Sequence, residues 1–269
     1  MKKIKLSKIG TTAHSDCKNK DDAVEKTKNL LERMYDLLYL MFAHNRHSLL
    51  IILQGIDASG KDGTVRNIYS GANPQGMRVF SFKRPTEEEF KHDFLWRCHR
   101  HTPESGFAVI FNRSYYEDVT TARVHPEILK EQHIPDELIE RGDLFDLRYE
   151  SINSFEQHLV QKGTVIIKFL LHISKDEQKK RIEERLEDRS KNWKFSESDI
   201  LEREFWDDYM KAFEKMVNKT STKCAPWTVV PADDKWYRDY VVTKTIVERL
   251  EELKMNFPKV DRKKGKLKV

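Results

Sequence analysis

The chain is poor in cysteine and has no long apolar run. Its three cysteines, Cys17, Cys98 and Cys224, are widely spaced and form no Cys-x-x-Cys pair, which favours a reducing compartment. The basic start MKKIKLSKIG has no apolar segment behind it and is not typical of a secretory signal. The apolar run 49–53 is too short to cross a bilayer. These absences predict a cytoplasmic protein without a membrane partner.

Signatures of nucleic-acid binding are also missing: we find no RNP, helix-turn-helix or zinc motif and expect no nucleic-acid partner. Charged residues, in contrast, are abundant and make up 35% of the chain. The 49 lysines and arginines exceed the 44 aspartates and glutamates, which gives a formal net charge of +5. A mildly basic protein is compatible with an anionic partner, but a solvated surface accounts for the charge as well.

The distribution of apolar residues predicts an α/β fold with a parallel sheet covered by helices on both faces. Short apolar runs predict strands at 48–54, 77–82, 107–112, 164–174 and 227–232. Helices are expected at 21–43, from Lys61 onward, and at 87–99, 136–160 with a break near Gly142, 175–189, 197–218 and 235–254. Residues 1–20 are expected to form a polar arm, 21–255 the domain and 256–269 a basic tail.

A glycine-rich segment, GIDASGKDGT (55–64), directly follows the first predicted strand. Gly55 and Gly60 enclose four residues and Lys61 follows, which is the core of a P-loop. In such a loop the backbone N–H groups and the start of the next helix face one anion, and the lysine contacts the outer phosphate. The alternative is a tight strand–helix turn with an exposed lysine. The predicted phosphate-binding residues are Gly55, Ala58, Ser59, Gly60, Lys61, Asp62, Gly63 and Thr64.

The loop departs from the usual motif at Asp62, where a Ser or Thr hydroxyl normally binds Mg²⁺. Thr64 is one substitute, but a carboxylate within the loop, Asp57, is the better candidate. Asp62 is also explained as a first-turn residue that the helix dipole favours.

A polar cluster, NRSYYED (112–118), follows the third predicted strand. Functional groups collect at the carboxyl ends of strands in open α/β sheets, and P-loop enzymes place a second metal contact there. The expected position is Asn112, which is not a carboxylate, but Glu117 and Asp118 follow closely. The alternative is that Asn112 and Arg113 form a turn whose polar groups are hydrogen-bonded within the protein and serve no ligand.

Three arginines, Arg181, Arg185 and Arg189, lie at i, i+4 and i+8 and share one face of the predicted helix 175–189. Arginine forks match phosphate oxygens, so this helix is a candidate lid over a phosphate site. The acidic residues between them fit a solvated helix with internal ion pairs equally well.

Four segments together, GIDASGKDGT, FNRSYYED, KNWKFSESD and TSTKCAPWTVVPADDKWYRD, resemble the second family of polyphosphate kinases over about residues 20–255. The resemblance implies a P-loop kinase fold similar to thymidylate kinases, with a helical lid at about 175–200. It implies phosphoryl transfer between inorganic polyphosphate and AMP, ADP or ATP, with guanine nucleotides as further candidates. It also implies Mg²⁺, with Mn²⁺ as an alternative, and a homodimer or homotetramer.

The resemblance further implies individual roles. Many members carry Asp where this chain has Asn112, but one branch reads Asn-Arg-Ser-Tyr-Tyr-Glu and accepts nucleoside mono- and diphosphates, and this chain resembles that branch. The implied catalytic residues are Lys61, Asp57, Asp118, Arg113, Arg181 and Arg185. The implied nucleotide-binding residues are Asn112, Arg113, Glu117 and Asp118, and the implied metal ligands are Asp57 and Asp118. A polyphosphate channel is expected to be lined by Arg66, Lys83 and Arg84.

Two other functions share parts of this pattern. An ATP-dependent nucleoside monophosphate kinase has the same fold, loop and lid, and the phosphate donor separates it from a polyphosphate kinase. A non-catalytic nucleic-acid-binding protein with a degenerate P-loop would account for the basic tail, and phosphoryl transfer separates it from both kinases.

Overall fold

A computed structural model describes residues 3–194 and 196–259, so most of the predicted tail 256–269 lies outside the described residues. The strands are β1 Ser48–Gln54, β2 Met77–Ser81, β3 Ala108–Asn112, β4 Thr164–His172 and β5 Trp227–Pro231. The helices are α1 Lys20–His44, α2 Lys61–Ser70, α3 Glu87–Phe90, α4 Trp96–His99, α5 Thr121–Val124, α6 Ile128–Glu131, α7 Asp136–Glu140, α8 Leu144–Gln161, α9 Lys175–Glu187, α10 Glu197–Leu201, α11 Trp206–Thr220 and α12 Lys235–Glu251. Short 3-10 helices lie at Leu6–Lys8, Tyr115–Val119, Asn192–Lys194 and Glu202–Phe205.

The sheet is parallel throughout the described residues, with the strand order β2-β3-β1-β4-β5. Every residue of β1 is buried, and because successive side chains point to opposite faces, both faces of the sheet must be covered. Helix α12 packs against α1 and α2, while α8 packs against α11 and β4. The predicted α/β architecture is therefore confirmed. Its central strand β1 lies between β3 and β4, which places the switch point of the topology at the carboxyl end of β1.

Two predicted helices are interrupted. The segment 87–99 forms α3 and α4, since the Asp93 carboxylate accepts a hydrogen bond from the backbone N–H of Leu95 at 3.0 Å and competes with helical pairing. The segment 197–218 consists of α10, a 3-10 turn and α11. The predicted break near Gly142 is present, and this glycine adopts a φ of +74° between α7 and α8.

The segment 3–19, predicted as a polar arm, lies along the folded body. The Leu6 side chain is 2% exposed and belongs to the main core. The backbone N–H of Ile4 donates to Asn218 Oδ1 in α11 at 2.9 Å, and the Thr11 hydroxyl donates to Asp233 after β5 at 2.6 Å. The segment thus joins α11 to the loop that follows β5.

No helix within the described residues is both long enough and apolar enough to span a membrane.

Candidate active site

The glycine loop leaves the carboxyl end of β1, and α2 begins at Lys61. Gly60 has a φ of +102°, and a Cβ atom there would meet Nη1 of Arg238, a residue of α12. Gly55 has a φ of +152°, and its Cβ would lie 2.8 Å from the carbonyl oxygen of Leu171 in β4. The positive φ favours glycine at both positions. At Gly55 a backbone carbonyl also blocks a Cβ atom, whereas at Gly60 the end of the Arg238 side chain would have to move.

Lys61 lies inside this loop and is only 8% exposed. Its ammonium donates to the carbonyl oxygens of Gly55 at 2.6 Å and Ile56 at 3.2 Å. Burial, followed by repulsion from Arg113, lowers the pKa of Lys61 to about 8. The ammonium is thus held where the loop would receive an anion, and an anionic ligand would favour its charged form.

Asp57 and Arg113 meet at the mouth of the loop. Nη2 of Arg113 donates to Oδ1 of Asp57 at 2.5 Å, and Nζ of Lys61 lies 4.0 Å from the same oxygen. Burial would raise the pKa of Asp57, but Lys61, Arg113 and Arg185 together lower it below its ordinary value. The predicted residues Lys61, Asp57 and Arg113 are therefore brought together in one cluster of opposite charges.

The strand-end cluster contributes Asn112 and Glu117 to the same region. The Asn112 carboxamide donates to Oδ1 of Asp62 at 3.0 Å, a bond that a second carboxylate at this position could not donate without a proton. The negative charge of Glu117 contributes most to raising the pKa of Arg113. The carboxamide nitrogen of Gln54, in the orientation that satisfies both its polar atoms, lies 2.9 Å from Glu117. Gln54 is a neighbour of the site that the motifs did not indicate.

Asp118 has different partners. It accepts a hydrogen bond from Gln132 at 2.6 Å and lines a cavity of about 270 Å³ with Arg97, Arg148 and Phe94. Burial raises the pKa of Asp118 to about 6, against the opposing charge of Arg148. None of these partners is shared with Asp57, and the assignment of Asp57 and Asp118 as metal ligands stays a prediction.

The lid arginines also separate. Arg181 is buried, with only 6% of the residue exposed. Its guanidinium donates to the carbonyl oxygens of Ala58 at 3.1 Å and Ser59 at 2.9 Å, and to those of Ala232 and Asp233 beyond β5. The remaining donor, Nε, contacts Glu177 at 2.7 Å. These donors hold the backbone of the loop, and the contact of Arg181 with the transferring group stays a prediction.

Arg185, one turn further along α9, does reach the site. It donates to Oδ2 of Asp199 at 2.7 Å, and its charge lowers the pKa of Asp57. Asp199 belongs to α10, and burial, then repulsion from Asp57, raises the pKa of Asp199. Asp199 was not among the predicted site residues, although it falls in the quoted segment KNWKFSESD. Residues of the predicted lid thus bring one arginine and one carboxylate toward the glycine loop.

The other predicted phosphate-binding side chains are either bonded to other groups of the protein or exposed. The Thr64 hydroxyl donates to the carbonyl oxygen of Gly60 at 3.2 Å, a bond within its own helix. Arg66, Lys83 and Arg84 are exposed, and Arg84 pairs with Glu131 at 2.5 Å. The polyphosphate channel that these residues were expected to line stays a prediction.

Carboxylates for a metal ion are available but not preassembled. Within 3–194 and 196–259, no group of three or more His, Cys, Asp or Glu side chains could hold a metal ion by itself. Asp57 interacts electrostatically with Asp199, and Lys61 interacts with Asp57, Asp62 and Glu117. Because Mg²⁺ is usually bound through one or two carboxylates together with substrate phosphates, this oxygen donor set fits Mg²⁺.

The fold and the site together define a P-loop kinase. A phosphate-type loop lies at the switch point of a parallel sheet, the next strand end supplies an arginine, and a helical segment covers the loop from the side of β4.

Comparison with known proteins gives the family. A family model described as Polyphosphate kinase 2 (PPK2) matches residues 17–258. The ADP-polyphosphate phosphotransferase of Rhodopseudomonas palustris is 47% identical over 256 residues, covering 95% of this chain and 89% of that protein. The AMP/ADP-polyphosphate phosphotransferase of Meiothermus ruber is 43% identical over 250 residues, covering 93% and 89%. The crystal structure of polyphosphate kinase 2 from Arthrobacter aurescens TC1 matches with a TM-score of 0.88 and 39% identity, covering 96% of this chain and 89% of that one. The chain belongs to the polyphosphate kinase 2 family.

Proposed function

We propose that the protein transfers phosphoryl groups reversibly between inorganic polyphosphate and adenine nucleotides, and that both AMP and ADP are acceptors. The observation that carries the proposal is the contact of Asp57, Arg113 and Lys61 at the mouth of the glycine loop. In a member of this family, that cluster is suited to hold a transferring phosphoryl group between a donor chain and an acceptor. The two relatives described above are named ADP-polyphosphate phosphotransferase and AMP/ADP-polyphosphate phosphotransferase.

The side chains of the site act by positioning and by neutralising charge, because phosphoryl transfer needs little covalent help from the protein. Lys61 would exchange the carbonyl oxygens of Gly55 and Ile56 for phosphate oxygens when polyphosphate binds. Arg113 offers a planar fork beside Asp57, and Arg185 adds a second cation from the lid. These three cations offset the charge of the phosphates while the acceptor oxygen approaches.

The acceptor nucleoside is proposed to occupy the cavity lined by Asp118. This cavity lies beside the carboxyl ends of β2 and β3 and combines the aromatic rings of Phe90 and Phe94 with Arg97, Arg148 and the Asp118 carboxyl group. Apolar walls with a few convergent polar groups are typical of sites for small ligands. Asp118 would then contact a ribose hydroxyl or a base amino group, while Asn112, Arg113 and Glu117 face the phosphates.

Magnesium is proposed as the cofactor, with Mn²⁺ as a substitute. Asp57, Asp199 and Glu117 are the carboxylates that would hold it together with substrate phosphates, and when bound it supplies neutralisation of phosphate charge. The use of guanine nucleotides, the assembly into a homodimer or homotetramer and the cytoplasmic location stay predictions of the sequence.

The proposal is tested by mixing the purified protein with Mg²⁺ and long-chain polyphosphate, adding AMP or ADP in separate reactions, and separating the nucleotides by chromatography. We expect ATP from ADP, and ADP followed by ATP from AMP. Lys61→Ala should abolish both reactions while it keeps the circular dichroism spectrum of the wild type. Phosphorylation of AMP by ATP without polyphosphate, at a higher rate than with it, would favour an ordinary nucleotide kinase. A folded wild type that transfers nothing would refute the proposal.

A further inference from the structure

A fully buried ion pair lies beneath the strand-end cluster. Lys168 of β4 and Glu156 of α8 are both 0% exposed, and Nζ of the lysine lies 2.6 Å from Oε2 of the glutamate. The lysine also donates to the hydroxyl oxygen of Tyr116 at 2.9 Å and to the carbonyl oxygen of Thr220 at 2.8 Å. Oε1 of the glutamate accepts hydrogen bonds from the hydroxyls of Tyr115 at 2.9 Å and Tyr116 at 2.7 Å. All three donors of the ammonium group are therefore used.

We call Glu156, Lys168, Tyr115 and Tyr116 the buried clamp. Its two tyrosines are completely buried and belong to the same short segment that supplies Arg113 and Glu117. Within this segment the side chains of Tyr115 and Tyr116 are fixed in the core, whereas those of Arg113 and Glu117 interact with residues of the glycine loop.

The backbone of this segment needs support. Arg113 has a φ of +65°, which is uncommon for a residue other than glycine and persists where the surroundings fix it. Arg113 is held on one side by β3 and its contact with Asp57, and on the other side the chain continues directly into the clamped tyrosines. Fixing the two rings therefore restricts the positions that the guanidinium of Arg113 can reach.

Stability gives no sufficient reason for the clamp. Desolvating an ammonium and a carboxylate costs several kcal/mol per ion, and apolar residues of similar volume often replace buried ion pairs without loss of stability. The polar groups are instead placed where orientation matters, directly below the strand end that serves the site. We propose that Glu156 and Lys168 are positioning residues that, through Tyr115 and Tyr116, hold Arg113 and Glu117 toward the glycine loop. This inference rests on the proposed function, because it concerns the same site.

The test compares Tyr116→Phe with Ser48→Ala. Tyr116→Phe keeps the ring but removes the hydroxyl that bridges the ion pair. Ser48→Ala removes another buried hydrogen bond, to Thr164 at 3.0 Å, at the opposite, amino end of the sheet. With polyphosphate and ADP, kcat of Tyr116→Phe should fall about 10- to 100-fold with KM for polyphosphate within about twofold, since misplacement of a catalytic group lowers the rate by such factors. Ser48→Ala should keep kcat within about twofold, although it also loses a buried hydrogen bond.

A second readout separates positioning from a general loss of structure. If the clamp acts through the fork of Arg113, Tyr116→Phe should lower kcat much less in an Arg113→Lys background than in the wild type. Tyr115→Phe, which leaves all three acceptors of the lysine in place, serves if Tyr116→Phe does not fold. Unchanged kcat in the folded tyrosine variant, or independent effects of the two substitutions, would overturn the inference. If the wild type itself transfers no phosphate, the proposed function falls together with the clamp, whereas an active wild type with an unimpaired tyrosine variant refutes the clamp alone.

Discussion

The charge of Lys61 should make polyphosphate binding depend on pH. Burial and the nearby Arg113 lower the pKa of this lysine to about 8 in the free protein, from a usual value of 10.5. About nine tenths of the molecules would then carry the charged form at about pH 7, but only about one tenth at about pH 9. If the neutral amine binds polyphosphate poorly, KM for polyphosphate should rise about tenfold over this interval. At saturating polyphosphate, kcat should change little, because the bound anion restores the proton.

The assay is kcat and KM for polyphosphate with ADP from about pH 6.5 to 9.5 at constant ionic strength. Lys61→Arg is the matched control, because a guanidinium stays charged throughout this range. We expect its KM to be nearly constant with pH, even if its rate is lower. Asp57, Asp62, Glu117 and Arg113 are the charged groups that interact with Lys61.

Unfolding cannot produce the same result through this lysine. The unfolded chain binds more protons than the native protein between about pH 8 and 10.5, so the free energy of unfolding rises with pH across that window. A constant KM for the wild type between about pH 7 and 9 would refute the reasoning. So would an equal rise of KM in Lys61→Arg, because another group would then be responsible.

Three further predictions concern stability. Gly60→Ala should lower the melting temperature more than Gly142→Ala, because both glycines have a positive φ but only Gly60 has a guanidinium, that of Arg238, against its Cβ position. Equal shifts in calorimetry would contradict this. Arg181→Lys should lower the free energy of unfolding by about 3 kcal/mol in urea titrations, since one ammonium cannot replace the fork that holds several carbonyl groups, whereas Arg189→Lys at an exposed position should have almost no effect. Burial raises the pKa of Asp118 to about 6, so the native state keeps a proton there that the unfolded chain loses, and the free energy of unfolding of the wild type should fall as pH rises from about 4 to 6. Asp118→Asn should remove this fall. An unchanged pH profile in the variant would show that Asp118 ionises normally.

The sheet and the glycine loop were predictable because their signals are local. A buried parallel strand such as 48–54 is apolar on both faces, and the loop that follows it is recognised by spacing alone. The cluster of Lys61, Asp57 and Arg113 follows from the same principle, since neighbouring parallel strands end at one edge of the sheet.

The roles of individual side chains were less predictable. The spacing of Arg181 and Arg185 shows that they share a helix face, but one is packed against the carbonyl groups of the loop and the other points toward its mouth. In the 3-10 turn after β3, Glu117 interacts with Arg113 while the adjacent Asp118 turns to a separate cavity. Asp199 reaches Arg185 only because the chain returns after α9. Such contacts depend on long-range packing, which no local pattern encodes.

The attachment of the first residues has a consequence for synthesis in the cell. Ile4 and Leu6 are bonded to Asn218 and Glu214, and Thr11 to Asp233, across more than 200 residues of sequence. These residues leave the ribosome more than 200 residues of synthesis before their partners do. The segment must therefore wait, with Leu6 uncovered, until residues 214–233 have also been made, so its docking follows the synthesis of these distant partners.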